Sequence, residues 1–280
     1  MTKHVEFTGF DVPAIGLGTW AMGERGSDRK QEADALRAGL DAGLRVVDTA
    51  EMYADGGAEE VVGDALGGRR DDAVLVSKVY PHNASRRGVR EACERSLKRL
   101  RTDRLDVYLL HWRGSHPLAE TVAGFEDLVR DGLIGAWGVS NLDVDDLAEL
   151  AGVPGGQACV TDQVLYNLTR RGPEFELIGA CRAAGMSVMA YSPLEQARLF
   201  CGAGASTLTE IAARHDATPA QVAIAWCIRE PGVLAIPKTS QVERIAENAA
   251  ALDLDLTDAD LADLDQAFPA PTGPTPLEML

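Results

Sequence analysis

Short apolar runs alternate with longer amphipathic stretches along most of the chain. Residues 15–19, 46–48, 74–78, 105–111, 134–140, 159–164, 187–191 and 233–236 each read as a strand bounded by turn or charged residues. The intervening segments carry helical periodicity. In residues 86–100, Val89, Ala92, Cys93, Ser96, Leu97 and Leu100 recur at three- and four-residue steps, with Arg and Glu on the other face. Most strands start about 25 to 30 residues after the one before, the length of one βα unit.

Element ends carry their own chemistry. Ser85, Asp143 and Thr218-Pro219 are placed to cap helix N-termini, the last with proline at the first helical position. Gly43, Gly132 and Gly185 each follow a helical stretch and precede a strand, where a C-cap demands positive φ. Residues 5–13 alternate around a turn and predict a hairpin ahead of the repeat. Residues 257–268 predict an extra terminal helix, and residues 269–280, four of them proline, predict an irregular tail. No low-complexity run or linker divides the chain.

Eight uninterrupted βα units predict one α/β domain over residues 1–280. The expected fold is a single-domain (β/α)8 TIM barrel with an N-terminal β-hairpin and an extra C-terminal helix, because crossovers of one hand curl eight parallel strands to closure. The competing architecture is an open doubly wound sheet with a glycine-rich turn after its first strand. Gly16-Leu17-Gly18-Thr19-Trp20-Ala21-Met22-Gly23 has a loose glycine spacing, but the step from Gly18 to Gly23 departs from that fingerprint.

Composition narrows the partners. Of 280 residues, 46% are hydrophobic and 25% charged, enough apolar material for a large core, and the apolar runs are strand-sized, too short for a membrane span. Lys and Arg total 27 against 43 Asp and Glu, a net charge of −16, which disfavours nucleic acid and obliges any site for an anionic cofactor to supply its own cations. Cys93, Cys159, Cys181, Cys201 and Cys227 are odd in number and scattered, and residues 1–7 lack the apolar run of a secretion signal. A reduced, cytoplasmic protein with no membrane partner and no metal site is expected.

In a barrel of this kind functional groups gather at the C-terminal ends of the strands. Those ends carry Asp48-Thr49-Ala50 with Tyr53 just beyond, Ser77-Lys78, His111-Trp112, Ser140-Asn141, Gln163, Tyr191-Ser192 and Pro237-Lys238-Thr239. An acid, a phenol, an amine and an imidazole therefore converge on one mouth. Protonating a carbonyl oxygen needs a donor whose pKa is brought down from about 10, and a neighbouring ammonium stabilises the phenolate. Lys78 suits that role beside Tyr53, Asp48 would keep the lysine charged, and His111 would align the substrate oxygen. A single Asp or Lys at a strand end is more often a turn residue or a surface ion pair; four such residues at successive ends weaken that alternative.

With these residues the chain resembles the aldo-keto reductase superfamily. Asp48, Tyr53, Lys78 and His111 match its catalytic tetrad in identity, order and spacing. The likeness extends through Gly16-Leu17-Gly18-Thr19-Trp20, Asp48-Thr49-Ala50, Ser77-Lys78, Trp137-Gly138-Val139-Ser140-Asn141 and Ile236-Pro237-Lys238. The stretch from His111-Trp112 to Glu120-Thr121 is similar to the bacterial branch of methylglyoxal reductases. The resemblance implies a monomeric NADPH-dependent reductase of small carbonyl compounds, in which hydride passes from the nicotinamide to carbon while Tyr53 protonates oxygen.

The same resemblance implies that Ser140, Asn141 and Gln163 hold the nicotinamide carboxamide and that its ring stacks on Tyr191. The alternative for Tyr191, weaker than the stacking role, is a core residue of an apolar strand. Gly18, Thr19, Trp20, Ser192, Pro193, Leu194, Ile236, Pro237 and Ser240 fall in the cofactor-binding segments. Lys238, Thr239 and Arg244 would hold the 2′-phosphate of NADPH, with Glu247 and Asn248 at the adenine. The alternative for Arg244 is an ordinary exposed helix in which it pairs with Glu243 or Glu247. Trp20, Met52, Tyr80 and Trp112, with His82, stand where they could line the substrate pocket or simply pack. The loop at residues 193–206 and the tail after Phe268 are short for the family, implying easier cofactor release and a shallow, open pocket for small aldehydes and 2-oxoaldehydes. A second class of function, a cofactor-binding redox-sensing subunit of a partner assembly, would keep the barrel with little turnover.

Overall fold

A hairpin opens the chain: β1 (His4–Phe7) and β2 (Phe10–Pro13) pair antiparallel across Thr8-Gly9, whose φ of 53° and 86° give the tight turn the twist its flanking strands require. The structure, a computed structural model, describes residues 3–280; Met1 and Thr2, which open the segment expected to lack a leader, lie outside them. Eight parallel strands follow: β3 (Leu17–Gly18), β4 (Val46–Asp48), β5 (Val74–Val79), β6 (Leu105–Leu110), β7 (Ile134–Ser140), β8 (Cys159–Leu165), β9 (Ser187–Tyr191) and β10 (Val233–Ala235), in spatial order β10-β9-β8-β7-β6-β5-β4-β3.

The sheet closes on itself. Ile15 bridges Ala235 and Gly18 bridges Lys238, with Gly16 N donating to Ala235 O at 2.8 Å, Ala235 N to Ala14 O at 2.9 Å and Gly18 N to Pro237 O at 3.1 Å. A Cβ on Gly18 would lie 2.7 Å from the Ile236 carbonyl oxygen, so the seam admits only glycine there. The glycines around the first strand thus serve closure, and the open doubly wound alternative is excluded.

Side chains of the strands divide by parity. Val46, Val74, Val76, Val107, Leu109, Met189, Leu234 and Ile236 fill the barrel interior, and the hairpin's Phe7 and Val12 join that cluster and plug one end. Leu75, Val79, Tyr108 and Leu110 point outward into a second cluster beneath the helices. There α1 (Arg29–Asp41), α2 (Gly57–Ala65), α3 (Arg86–Leu100), α4 (Leu118–Arg130), α5 (Val144–Ala151) and α6 (Leu177–Ala183) cover successive strands. Along α3 the six residues picked out by periodicity are the six that are buried, and each fully buried Val or Leu among them contributes about 1.5–3 kcal/mol.

The expected caps form. Ser85 accepts from Gly88 N, Asp143 and Thr218 make capping boxes, and Gly43, Gly132 and Gly185 have φ of 85°, 74° and 73°. One expectation is corrected: β9 is followed by two helices, α7 (Ala205–Arg214) and α8 (Pro219–Cys227), where a single one was predicted. Gly204, with φ 94°, starts α7 without a side-chain cap, so no local signal marked it. After β10 come α9 (Val242–Ala250) and the predicted extra helix α10 (Asp258–Ala267), capped by Thr257. No helix among the described residues is long and apolar enough to cross a membrane.

Candidate active site

The inward parity that packs valine in the barrel interior delivers polar residues at its open end. Asp48 follows Val46 by two on β4, Lys78 follows Val76 on β5, and His111 follows Leu109 just beyond β6. Tyr53 comes from the loop after β4, turned inward as its amide donates to Ala50 O at 3.1 Å. The four meet in one buried group, with exposures of 2% for Asp48, 9% for Tyr53, 0% for Lys78 and 8% for His111.

Lys78 Nζ donates three hydrogen bonds: to Asp48 Oδ2 at 2.8 Å, Thr49 O at 2.9 Å and Tyr53 Oη at 3.0 Å. Three acceptors need three N–H groups, which an ammonium has and a neutral amine lacks. Because the Tyr53 oxygen is the acceptor, its own O–H stays free for a further partner. Asp48 Oδ1 accepts from Gln163 Nε2 at 2.7 Å.

Burial dominates the electrostatics. It lowers the proton affinity of Lys78, against the raising pull of Asp48 and, more weakly, Glu59. It raises the Asp48 pKa, opposed by the Lys78 charge and by hydrogen bonds from Lys78 and Gln163. It holds the Tyr53 phenol well above its ordinary range, and the Asp48 charge pushes the same way. This corrects the expectation that Lys78 brings Tyr53 toward neutrality: desolvation of a phenolate outweighs the neighbouring cation, and the resting phenol keeps its proton. Burial, then the Lys78 charge, push His111 down to about 2, so the imidazole is neutral in the working range. His111 stands edge-on to Tyr53, with ring centroids 5.7 Å apart, and its buried Nδ1 has no hydrogen-bond partner.

A cavity of about 630 Å³ runs from this group across the mouth to the end of β10. Asp48, Tyr53 and His111 reach its surface, and Trp20, Met52 and Trp112 form an apolar wall beside them. Gly18, Thr19, Ser140, Asn141, Gln163, Tyr191, Ser192, Pro193 and Leu194 line its middle, and Ile236, Pro237, Lys238, Thr239, Arg244, Glu247 and Asn248 its far end. Tyr80, His82 and Ser240 do not line it. The chain turns at Pro81, and the Tyr80 ring lies against His82 at 4.7 Å and edge-on to Trp112 at 5.9 Å, behind the wall.

The middle is knitted across strands. Ser140 Oγ donates to Gln163 O at 2.7 Å, and Asn141, with φ 56°, donates from Nδ2 to His111 O at 3.1 Å and accepts at Oδ1 from Tyr191 Oη at 3.0 Å. At the far end the side chains of Lys238 and Arg244 carry no ion pair or hydrogen bond among the described residues. Glu247 accepts instead from Thr218 Oγ1 at 2.6 Å, so the alternative in which Arg244 pairs with Glu243 or Glu247 does not form among the described residues. Two unpaired cations facing a cavity, in a chain of net charge −16, fit an anionic group.

Gln196, Ala197 and Phe200 also line the cavity, as do Met279 and Leu280, and the sequence reading had singled out none of them. The first three sit in a turn with Ser192, Glu195, Gln196 and Ala197 at φ of 49°, 48°, 53° and 68°, a strained run that no glycine announced. Glu195, 3% exposed, anchors it by accepting from Asn167 Nδ2 at 2.8 Å, Arg170 Nη2 at 3.0 Å and Arg198 Nη2 at 2.9 Å. The proline-rich tail was read as irregular, and only the fold carries its last residues to the mouth.

Comparison with known proteins adds the final observation. The profile of the aldo/keto reductase family matches residues 14–268. The chain is 53% identical to methylglyoxal reductase YeaE of Escherichia coli (strain K12) over 281 residues, covering 99% of each protein. It is 34% identical to glyoxal reductase of Bacillus subtilis (strain 168), over 97% of this chain and 95% of that one. The crystal structure of an aldo-keto reductase from Klebsiella pneumoniae in complex with NADPH superposes over 100% of both chains, with a TM-score of 0.98 and 53% identity.

Proposed function

This chain belongs to the aldo/keto reductase family, and on that premise we propose that it is an NADPH-dependent oxidoreductase that reduces small aldehydes and ketones, 2-oxoaldehydes such as methylglyoxal foremost, to alcohols. The observation that carries the reading is the triple hydrogen bond of Lys78, which fixes an ammonium against the oxygen of a phenol and leaves that phenol's proton free toward the cavity. The likeness to a methylglyoxal reductase and to a structure holding NADPH supports the substrate class and the cofactor.

Lys238, Thr239 and Arg244 would hold the 2′-phosphate, Glu247 and Asn248 the adenine, and Ser140, Asn141, Gln163 and Tyr191 the nicotinamide. Bound there, NADPH supplies a hydride to the carbonyl carbon. Tyr53 gives its proton to the carbonyl oxygen, so that carbon and oxygen each gain one hydrogen and the alcohol is neutral. The phenolate left behind is what the buried ammonium stabilises: in this low-dielectric setting Lys78 acts on charge that appears only as the proton leaves. Asp48, held by Gln163, keeps Lys78 charged. Neutral His111 directs the carbonyl oxygen toward Tyr53 by hydrogen bonding and gives up no proton. The wall of Trp20, Met52 and Trp112 favours compact substrates with an apolar side.

The test is consumption of NADPH by the purified protein with methylglyoxal, glyoxal, short aldehydes and a bulky steroid ketone, followed by loss of dihydronicotinamide absorbance. The highest kcat/KM is expected with the small 2-oxoaldehydes. Tight binding of NADPH with no turnover of any carbonyl would overturn the reading in favour of a sensing subunit.

A further inference from the structure

Ser77 immediately precedes Lys78 on β5, so its side chain points the opposite way, out of the barrel and under α2. There Ser77 Oγ donates to Glu59 Oε1 at 2.6 Å, and Glu59 Oε2 accepts from Arg99 Nε, on α3, also at 2.6 Å. Glu59 is 0% exposed, among the buried Ala58, Val61, Val62 and Ala65 of α2. Arg99 is part-exposed, with a side-chain exposure of 22%.

A buried carboxylate is costly, and an apolar residue of similar size would suit this helix face better unless the charge has a use. Its position supplies one. Glu59 lies directly behind the catalytic lysine, bonded to the lysine's chain neighbour, and its charge acts on Lys78 in the same direction as that of Asp48. We propose that Glu59 is a positioning residue for the reaction: its carboxylate steadies the charged Lys78 from the outer wall of the barrel, and Arg99 sets how much of that charge is felt inside. The proposal rests on the roles of Tyr53 and Lys78 given above.

The charges around the two groups are few. Lys78 faces Asp48, Tyr53 and His111 inside the barrel. Glu59 faces Arg99 and Cys93 from α3, Ser77 from β5 and Tyr108 from β6, and Glu51, which also acts on Tyr108, is paired with Arg95 at 3.6 Å. Cys93 is held protonated, its thiol pushed up to about 12 chiefly by burial. Arg99 is therefore the cation bonded directly to Glu59.

The decisive measurement is the pH profile of kcat/KM for reduction in Glu59→Gln and Arg99→Met, beside the parent and Tyr53→Phe, with melting temperatures recorded for all. Removing a negative charge makes the next proton easier to lose, whether Lys78 or Tyr53 gives it up. Reduction needs that proton in place, so the alkaline limb of Glu59→Gln is expected to move to lower pH by about one unit. Arg99→Met removes the opposing cation and is expected to move the limb the other way, by less.

A purely structural role would lower melting temperature and activity in both variants without shifts of opposite sign. Limbs that stay in place, or move together, overturn the proposal. Should Glu59→Gln not fold, Arg99→Met decides alone: a limb at higher pH supports the proposal, and an unmoved or lower one overturns it. Retained turnover in Tyr53→Phe would instead strike the reading of the site itself, whatever the two charge variants do.

Discussion

The two ends of the cavity are built from different material. At the proposed reacting end Asp48 and Lys78 stand on barrel strands and His111 just past one, none of these side chains nor Tyr53 is more than 9% exposed, and every N–H of the Lys78 ammonium has an acceptor. At the far end Lys238, Thr239 and Arg244 lie on the segment after β10 and the first turn of α9, and the two cations have no protein partner among the described residues. The turn above, at Ser192 and residues 195–197, holds left-handed backbone in place through the ion pairs of Glu195. Charge development in a transition state is best met by dipoles and charges already fixed in a dry site. A cofactor that must enter and leave is better met by groups that water can reach before it arrives. On the roles proposed above, one end is preorganised for chemistry and the other for exchange.

Two substitutions should separate these ends. The largest effect is expected for Tyr53→Phe, which removes one oxygen at the reacting end and leaves the rest of the cavity untouched. Its kcat should fall by about 10³-fold, within the range for loss of a general acid, while the Kd for NADPH measured by fluorescence titration stays within about twofold. A comparable loss in both quantities would mean that the phenol holds the cofactor and that the division between the ends is false.

Arg244→Ala probes the opposite end and should give the opposite pattern. A charge-assisted contact contributes about 1.5–3 kcal/mol, so the Kd for NADPH should rise by about ten- to a hundredfold, with kcat at saturating cofactor unchanged. NADH, which lacks the 2′-phosphate, should bind the variant and the parent alike. Equal losses for NADPH and NADH would remove Arg244 from the phosphate.

The same division explains how much the sequence disclosed. Asp48, Lys78 and His111 were legible because strand parity carries them to the mouth: once residues 46–48, 74–78 and 105–111 are read as strands, each lies two positions beyond an inward apolar residue. Caps at Ser85, Asp143 and Thr218 were legible because their partners are three residues away. What escaped depends on contacts distant in the chain or on backbone that residue types do not announce. Helix α7 begins at a glycine with no side-chain cap, the turn at 195–197 places Glu, Gln and Ala at positive φ, and Leu280 reaches a cavity whose floor is set by Asp48. Tyr80 was misplaced for a related reason, since parity ceases to apply once β5 ends at Val79 and the chain turns at Pro81. The direction of the Tyr53 shift was also beyond the sequence, because it follows from how completely the phenol is buried.

The reacting end carries one more mark of its burial, a dependence of stability on pH through His111. His111 is pushed down to about 2 by burial and then by the charge of Lys78, whereas an unfolded histidine titrates near 6.5. Between those values the unfolded chain takes up a proton that the folded chain excludes. Stability from this group is thus intact above about pH 6.5 and falls by about 1.4 kcal/mol for each pH unit below it. The chain has five histidines, but the difference between His111→Gln and the parent cancels the contribution of the other four. In urea unfolding, that difference should shift in favour of the variant by about 1 kcal/mol on going from pH 7.5 to pH 5.5, even where the variant is less stable at both. A difference that stays constant with pH would show that His111 takes up its proton in the folded protein, and that the reacting end is wetter than its burial implies.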